Sequence, residues 1–309
     1  MLHLNRISQK ASAEIITETY GSAYLNQIAK NVKNITVFIN DTGFKNTNYW
    51  QKILNILLLE LKRFNIECYL YIVDGFDYEA SSKTDRRLAS DGYIFIGIMP
   101  KSLTKLAHEL AVPYISIDMT FTIDNCPNVS ADNMSAGRKA AEMFIAHGHR
   151  RLAFMGGIDE YSSYRKRFQG FEKYINENKD LIDSLRLVDD RIFNMFNVSV
   201  TEVRDIMSKP DRPTAIFCSS DVILPRLKKI LDDVGLMIPH NVAVISFDNL
   251  DLNADKGMNI NSFHVSKIDM ALSALYQLFV FIDRKTVGNN LDLIIEATLV
   301  DRGSVIHYI

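Results

Sequence analysis

The stretch Thr214–Asp248, TAIFCSSDVILPRLKKILDDVGLMIPHNVAVISFD, decides how the chain is read. An apolar run, Ala215 to Cys218, ends in Ser219, Ser220 and Asp221. A window follows with Ile223, Leu227, Ile230, Leu231 and Val234 at helical spacing, punctuated by Gly235 and Pro239. A second apolar run, Val242 to Ile245, ends in Ser246, Phe247 and Asp248. This predicts a strand, a right-handed crossover helix and a second, parallel strand. Both runs are continuous rather than alternating, as strands covered on both faces are. Ligand crevices of open α/β sheets lie at the carboxyl ends of the strands, where Ser220, Asp221 and Asp248 fall. Ser and Asp also favour helix caps. Asp221 is accordingly read as a cap. Asp248, with no periodic helix directly behind it, is read as a pocket residue.

Outward from there the alternation continues in both directions. Strands are predicted at Ile35–Asn40, Cys68–Val73, Tyr93–Ile98, Tyr114–Ile117, Asn128–Asp132, Arg151–Met155 and Ile294–Val300. Helices are predicted after Trp50 (Ile53, Leu54, Leu57, Leu58, Leu61), over Asn133–His147, from Ser162, over 200–207 and over Lys267–Ile282, with a short one around Ser81–Ala89. The fold class is α/β: two doubly wound parallel-sheet halves that break near Gly148.

Composition narrows the function classes. At 309 residues, 47% hydrophobic and 23% charged, the chain is an ordinary globular one with room for two α/β domains. A net charge of −2 leaves no overall basic footprint for nucleic acid. Cys68, Cys126 and Cys218 are scattered, which fits free thiols in a reducing compartment. No apolar run has membrane-spanning length and no secretory signal opens the chain, so a cytoplasmic location and no membrane partner are expected. The phosphate-cradling G-x-G-x-x-G and G-x-x-x-x-G-K-[ST] and the nucleophile G-x-S-x-G are absent, and His147 and His149 flank a glycine as at a helix end. No enzyme, cofactor or metal site is expected.

The motifs then add up. Gly148-His149-Arg150-Arg151-Leu152-Ala153-Phe154-Met155-Gly156-Gly157 resembles a signature of the lac/gal repressor family of bacterial transcription regulators. Val129 to Asn133 with Ala136-Gly137, Arg167 to Phe171, Pro213 to Phe217, Val242 to Asp248 and Leu299 to Ser304 are similar to that family's motifs in order and spacing. The resemblance covers roughly Ile35 to Ser304. The resemblance implies a periplasmic-binding-protein-like (type I) architecture with a small effector, usually a sugar and sometimes a nucleobase, in a cleft. It implies a DNA-binding regulator, a repressor of sugar-utilisation genes acting as a homodimer on an operator. The implied effector contacts are Asp132, Arg167, Ser220 and Asp248, with Phe196 as a stacking aromatic. Asn48 and Tyr49 are added as residues that reach the cleft from the first strand's loop. Carboxylates accept paired hydrogen bonds from vicinal hydroxyls, and a guanidinium donates at fixed angles.

The implied domains are 1–34, a remnant of headpiece and hinge; 35–148 with 267–291; and 149–264 with 292–309. Tyr24 to Lys30 resembles the family's hinge, making Asn26, Ala29 and Lys30 the DNA and hinge residues. Only 34 residues precede the first core strand, too few for three headpiece helices, so the recognition helix is expected to be missing. The alternative reading is a sugar-sensing module without autonomous DNA binding. Ser220 also stands where the family usually has Asn, and Ala271 where it has Gly.

Overall fold

A computed structural model of the chain describes residues 12–40, 48–73, 89–118, 126–159, 161–188, 198–250, 257–289 and 291–308. In chain order the helices and strands are α1 (Ser12–Tyr20), α2 (Ser22–Ala29), β1 (Asn34–Asn40), α3 (Asn48–Arg63), β2 (Glu67–Val73), β3 (Gly92–Ile96), α4 (Lys101–Glu109), β4 (Tyr114–Ile117) and β5 (Asn128–Ala131). They continue with α5 (Asn133–Ala146), β6 (Arg151–Met155), α6 (Ser162–Glu177), β7 (Ser184–Val188), α7 (Val198–Met207), β8 (Ala215–Cys218), α8 (Leu224–Asp233), β9 (Ala243–Phe247) and β10 (Asn261–Val265). The last are α9 (Lys267–Asp283), β11 (Asp292–Ile295) and β12 (Ala297–Val300). The short helix expected around Ser81–Ala89 falls almost wholly outside the described residues.

The chain forms two compact units: Met1–Ala131 with Ser266–Glu296, and Asp132–Val265 with Ala297–Ile309. The first holds a six-stranded sheet in the order β11-β5-β4-β3-β1-β2, with every pair parallel. Helix α9 packs on α3, α1 and α2 in this unit. Phe38, Tyr93, Phe95 and Tyr114 are fully buried on the sheet, with Phe38 and Tyr93 edge to face. The second unit holds the order β12-β10-β9-β8-β6-β7, parallel except for β12 against β10. Every residue of β8 and β9 is buried, which explains their uninterrupted apolar sequence. Each such Val, Ile or Phe contributes about 1.5–3 kcal/mol by leaving water.

Two boundaries differ from those read in the sequence. Helix α5 belongs to the second unit rather than the first, so the units divide at Ala131 and not near Gly148. The reason is a close seam between α5 and α6. Gly137 faces the backbone of Arg167 to Phe171, and Gly170 faces the backbone of Met134, so a Cβ on either would collide. The predicted single strand over 294–300 is two strands broken at Glu296: β11 pairs with β5 in the first unit and β12 with β10 in the second. Ile268, at helical spacing with the buried Ala271, Leu275 and Phe279 of α9, is itself 57% exposed.

The end of the chain is tied into the second unit. Ser304 donates to the Val244 carbonyl and accepts from the Asn261 amide, and the Tyr308 amide donates to the His147 carbonyl. His149 is buried beneath this segment, with one ring nitrogen at Thr214 Oγ1 (3.1 Å) and the other at the Ile306 carbonyl (3.2 Å). The three cysteines are free thiols.

Candidate functional site

The site is built on α6 and on the carboxyl ends of β8 and β9 in the second unit. Arg167 projects from α6 and is only 2% exposed. Its Nε donates to Asn133 Oδ1 at 2.8 Å, and Nη1 donates to the Ser219 carbonyl. Its Nη2 lies 3.9 Å from Asp248 Oδ1. The guanidinium stacks 3.4 Å over the Phe247 ring, with the Tyr164 ring 5.3 Å away. A planar cation tolerates this apolar contact because it is weakly hydrated and stacks well on aromatic faces.

Asp248 follows β9 in a left-handed turn, at φ 96, with Asn249 next at φ 47. Two consecutive non-glycine residues in this region cost about 1–3 kcal/mol each, so the surrounding structure must hold them. The Asp248 amide donates to the Phe263 carbonyl at 3.0 Å. Its carboxylate accepts from Ser220 Oγ at 2.6 Å. Arg167, Ser220 and Asp248 therefore form one buried group in which a cation and a carboxylate balance.

Asp221 lies beneath that group and is fully buried. It is not the cap that the sequence reading made it: Ser220 takes that role, accepting from the Val222 amide. Asp221 instead accepts from the Leu250 amide (2.8 Å) and from Ser262 Oγ (2.8 Å). Burial first, and then the Asp248 charge, push its carboxyl up to about 6; the hydrogen bonds from Ser262 and the Leu250 amide work the other way.

The other expected site residues are placed as follows. Asp132 is half-buried and caps α5, accepting from the Ser135 amide at 3.0 Å. It directly precedes Asn133, the partner of Arg167. Tyr49 is buried in the first unit, where its hydroxyl donates to Met270 Sδ and the Lys267 ammonium lies 5.0 Å over its ring. Asn48 begins α3. Phe196 lies outside the described residues. Asn26 and Lys30 are exposed on and just after α2, whereas Ala29 is buried. Sequence reasoning did not single out Asn133 or Ser219 as partners of Arg167, nor Asn249, Ser262 and Arg302 around the turn. The adjacency of Asn133 to a candidate carboxylate was the one available signal.

A cavity of about 550 Å³ also lies in the second unit, lined by Leu224, Leu227, Leu231, Ile238, Met258 and Ile260 among others, and by none of the expected contacts. Its cations are already engaged, Lys228 with Asp232 and Arg302 with the Ile260 carbonyl and Asn249. Among the described residues no group of three or more His, Cys, Asp or Glu is placed to hold a metal. Among them, too, no helix is long and apolar enough to cross a membrane.

Two parallel-dominated α/β units, with polar side chains gathered at strand carboxyl ends, define the class of periplasmic-binding-protein-like chains. The chain belongs to that family: residues 141–305 match the family model of the periplasmic binding protein-like domain. Its relatives include transcriptional repressors, as the motif series implied. The HTH-type transcriptional repressor PurR of Photobacterium profundum is 24% identical over 204 residues, covering 64% of this chain and 60% of that protein. The arabinose metabolism transcriptional repressor of Geobacillus stearothermophilus is 23% identical over 199 residues, covering 64% and 54%. The ribose operon repressor of Haemophilus influenzae is 25% identical over 199 residues, covering 64% and 59%. The chain thus spans little more than half the length of these relatives. In fold it matches a LacI family transcriptional regulator from Enterococcus faecium with bound ribose, at a TM-score of 0.74 and 16% identity over 90% of this chain and 100% of that one. It also matches a CelR–cellobiose complex, at a TM-score of 0.70 and 17% identity over 88% and 84%.

Proposed function

We propose that this chain is the effector-binding core of a DNA-binding transcriptional repressor of sugar-utilisation genes, acting as a homodimer. The effector is a small molecule, a sugar or sugar derivative before a nucleobase, held by Arg167, Ser220 and Asp248 with Asp132 beside them; Asn48, Tyr49 and Phe196 are further contacts in this reading. The carrying observation is the buried Arg167–Asp248–Ser220 group. A guanidinium donor, a hydroxyl and a carboxylate acceptor side by side suit a hydroxyl-rich ligand, whose groups both donate and accept. Relatives named for arabinose and ribose, and neighbours bound to ribose and cellobiose, support the same class. The test is thermal unfolding of the full chain with millimolar D-ribose, L-arabinose, cellobiose and a purine base. At least one sugar should raise the melting temperature, and Arg167→Gln combined with Asp248→Asn should abolish the shift. Shifts that survive the double substitution would move the ligand elsewhere.

One observation favours a second reading, a sugar-sensing module in which residues 22–29 do not serve as a DNA-contacting hinge. Helix α2 lies on the first unit with Leu25, Ile28 and Ala29 buried. Leu25 joins Ile16 and Val280 in one apolar cluster, and Tyr24 Oη donates to Asp283 at 2.6 Å. A hinge helix docked in this way has its apolar face committed. Gel shifts on the native gene product separate the readings: salt-sensitive, sequence-selective binding favours the repressor, and its absence at low salt favours the module.

A further inference from the structure

We propose that Asp221 is a positioning residue: it pins the left-handed turn Asp248–Asn249 and so sets the direction in which the Asp248 carboxylate meets Arg167 and the ligand. This rests on the reading of Arg167 and Asp248 as ligand contacts. No hydrogen bond or ion pair joins Asp221 to Arg167, whose partners are Asn133, Ser219 and Asp248. The two Asp221 oxygens reach across from the end of β8 to the segments on either side of the turn. One accepts the Leu250 amide, directly after the turn. The other accepts Ser262 Oγ on β10, and the same Ser262 oxygen accepts the Asn249 amide at 3.0 Å. The Asn249 side chain is held in turn, with its amide nitrogen 3.4 Å from His264 Nδ1 and its oxygen accepting from Arg302 at 2.5 Å.

Asp221, Ser262 and Arg302 thus form a cradle around two residues whose backbone would relax if released. Burying a carboxylate beside a second one is costly, and this carboxylate also sits under the Asp248 charge. A core built only for stability would place an apolar side chain there. Two acceptors are needed because two donors, one backbone and one hydroxyl, must be turned the same way to fix the turn. Asn keeps one acceptor for the amide and can donate to the hydroxyl. Ala and Leu supply neither.

Hydrogen exchange on the full-length chain tests this, comparing wild type with Asp221→Asn, Asp221→Ala and Asp221→Leu. Exchange at the Leu250 amide should quicken by about tenfold or more in the Ala and Leu variants and stay within about threefold in the Asn variant, while the β8 amides keep their protection in all. The Ala and Leu variants should also lose the sugar-induced melting shift that the Asn variant retains. Protection of Leu250 undiminished in Asp221→Leu would overturn the proposal. Should the Ala and Leu variants lose β8 protection as well, Ser262→Ala decides: faster exchange at Asn249 and Leu250 with β8 intact supports the cradle, and unchanged exchange refutes it. If the exchange pattern holds but no sugar shifts the wild type, the positioning role stands and the ligand reading fails.

Discussion

Replacing Gly137 by alanine is the sharpest test of the second unit, because helix propensity and packing predict opposite signs. Gly137 lies inside α5, and in an exposed helix Gly→Ala stabilises by about 1 kcal/mol. Here the new Cβ would fall 2.8 Å from the Phe171 amide nitrogen, and closer still to the Arg167 carbonyl oxygen. Ordinary contact begins at 3.4 Å, so the Phe171 contact alone asks the α5–α6 seam to open by about 0.6 Å, and the nearer Arg167 carbonyl asks for more than twice that. Both obstructing atoms are backbone, so no side-chain rotation relieves the clash. Overpacking of this kind costs about 1–3 kcal/mol, and rigid walls place it at the upper end. After the propensity gain, a net loss of about 2 kcal/mol remains. At about 2–4 °C per kcal/mol, the melting temperature should fall by about 4–8 °C. Gly170 meets the Met134 backbone across the same seam. The double variant should therefore cost less than the sum of the single ones, since the first substitution opens space for the second. Because Arg167 carries one of the clashing carbonyls, the sugar-induced shift should shrink in step. An unchanged or raised melting temperature for Gly137→Ala would refute the close seam, and with it the account of why α5 belongs to the second unit.

Three further outcomes can be measured by thermal or denaturant unfolding. His149 is held down to about 4 from an ordinary 6.5, chiefly by burial. Its contribution is full above about pH 6.5 and is lost as pH falls from there towards 4, because the unfolded chain takes up the proton first. At pH 5 wild type should have lost about 2 kcal/mol that His149→Gln, which does not titrate, keeps; parallel pH curves for the two would sink this. Asp221 is pushed up to about 6, so its contribution runs the opposite way: present below about 3.8 and lost as pH rises through 6. Asp221→Asn should match or exceed wild-type stability at pH 7.5, by at most about 3 kcal/mol, and fall behind in acid. Ser220→Ala removes the hydroxyl donor to Asp248 and should cost about 1–3 kcal/mol, with a weaker sugar response.

Most of the fold was legible in the sequence because parallel strands covered on both faces leave uninterrupted apolar runs. Tyr114–Ile117, Arg151–Met155 and Ala215–Cys218 coincide with observed strands. What escaped had a physical reason in each case. Ser184–Val188 is an edge strand, mostly half-buried, with Arg186 in its middle. Asn261–Val265 is polar in sequence yet buried, because Asn261 and Ser262 serve as hydrogen-bond hubs for Arg302, Ser304, Asn249 and Asp221. The break at Glu296 cannot be seen in a run that stays apolar on both sides, since only pairing assigns its halves to different sheets. The site was half visible for the same reason. Ser220 and Asp248 stand at strand ends, and Arg167 on α6 falls in a recognisable motif. Their supports Asn133, Ser219 and Ser262 are defined by partners tens of residues away.

The segment 22–30 shows how a local likeness can leave a tertiary constraint unseen. A likeness to a hinge reads as an element free to meet DNA, and it concerns residues that stay exposed, such as Asn26 and Lys30. The opposite face carries Leu25, Ile28 and Ala29, with Ile16 on α1, and these are 2–4% exposed. At about 1.5–3 kcal/mol for each large side chain, their burial outweighs the few tenths that exposed charges contribute. The linker from Ala29 to Asn34 holds only four residues, reaching about 14 Å at full extension. For α2 to act as a hinge it must first give up that burial, and any DNA contact it makes has to repay the loss. A docked arm and a DNA-contacting arm would therefore exclude each other, and the salt-dependent gel shift reads whether the second forms.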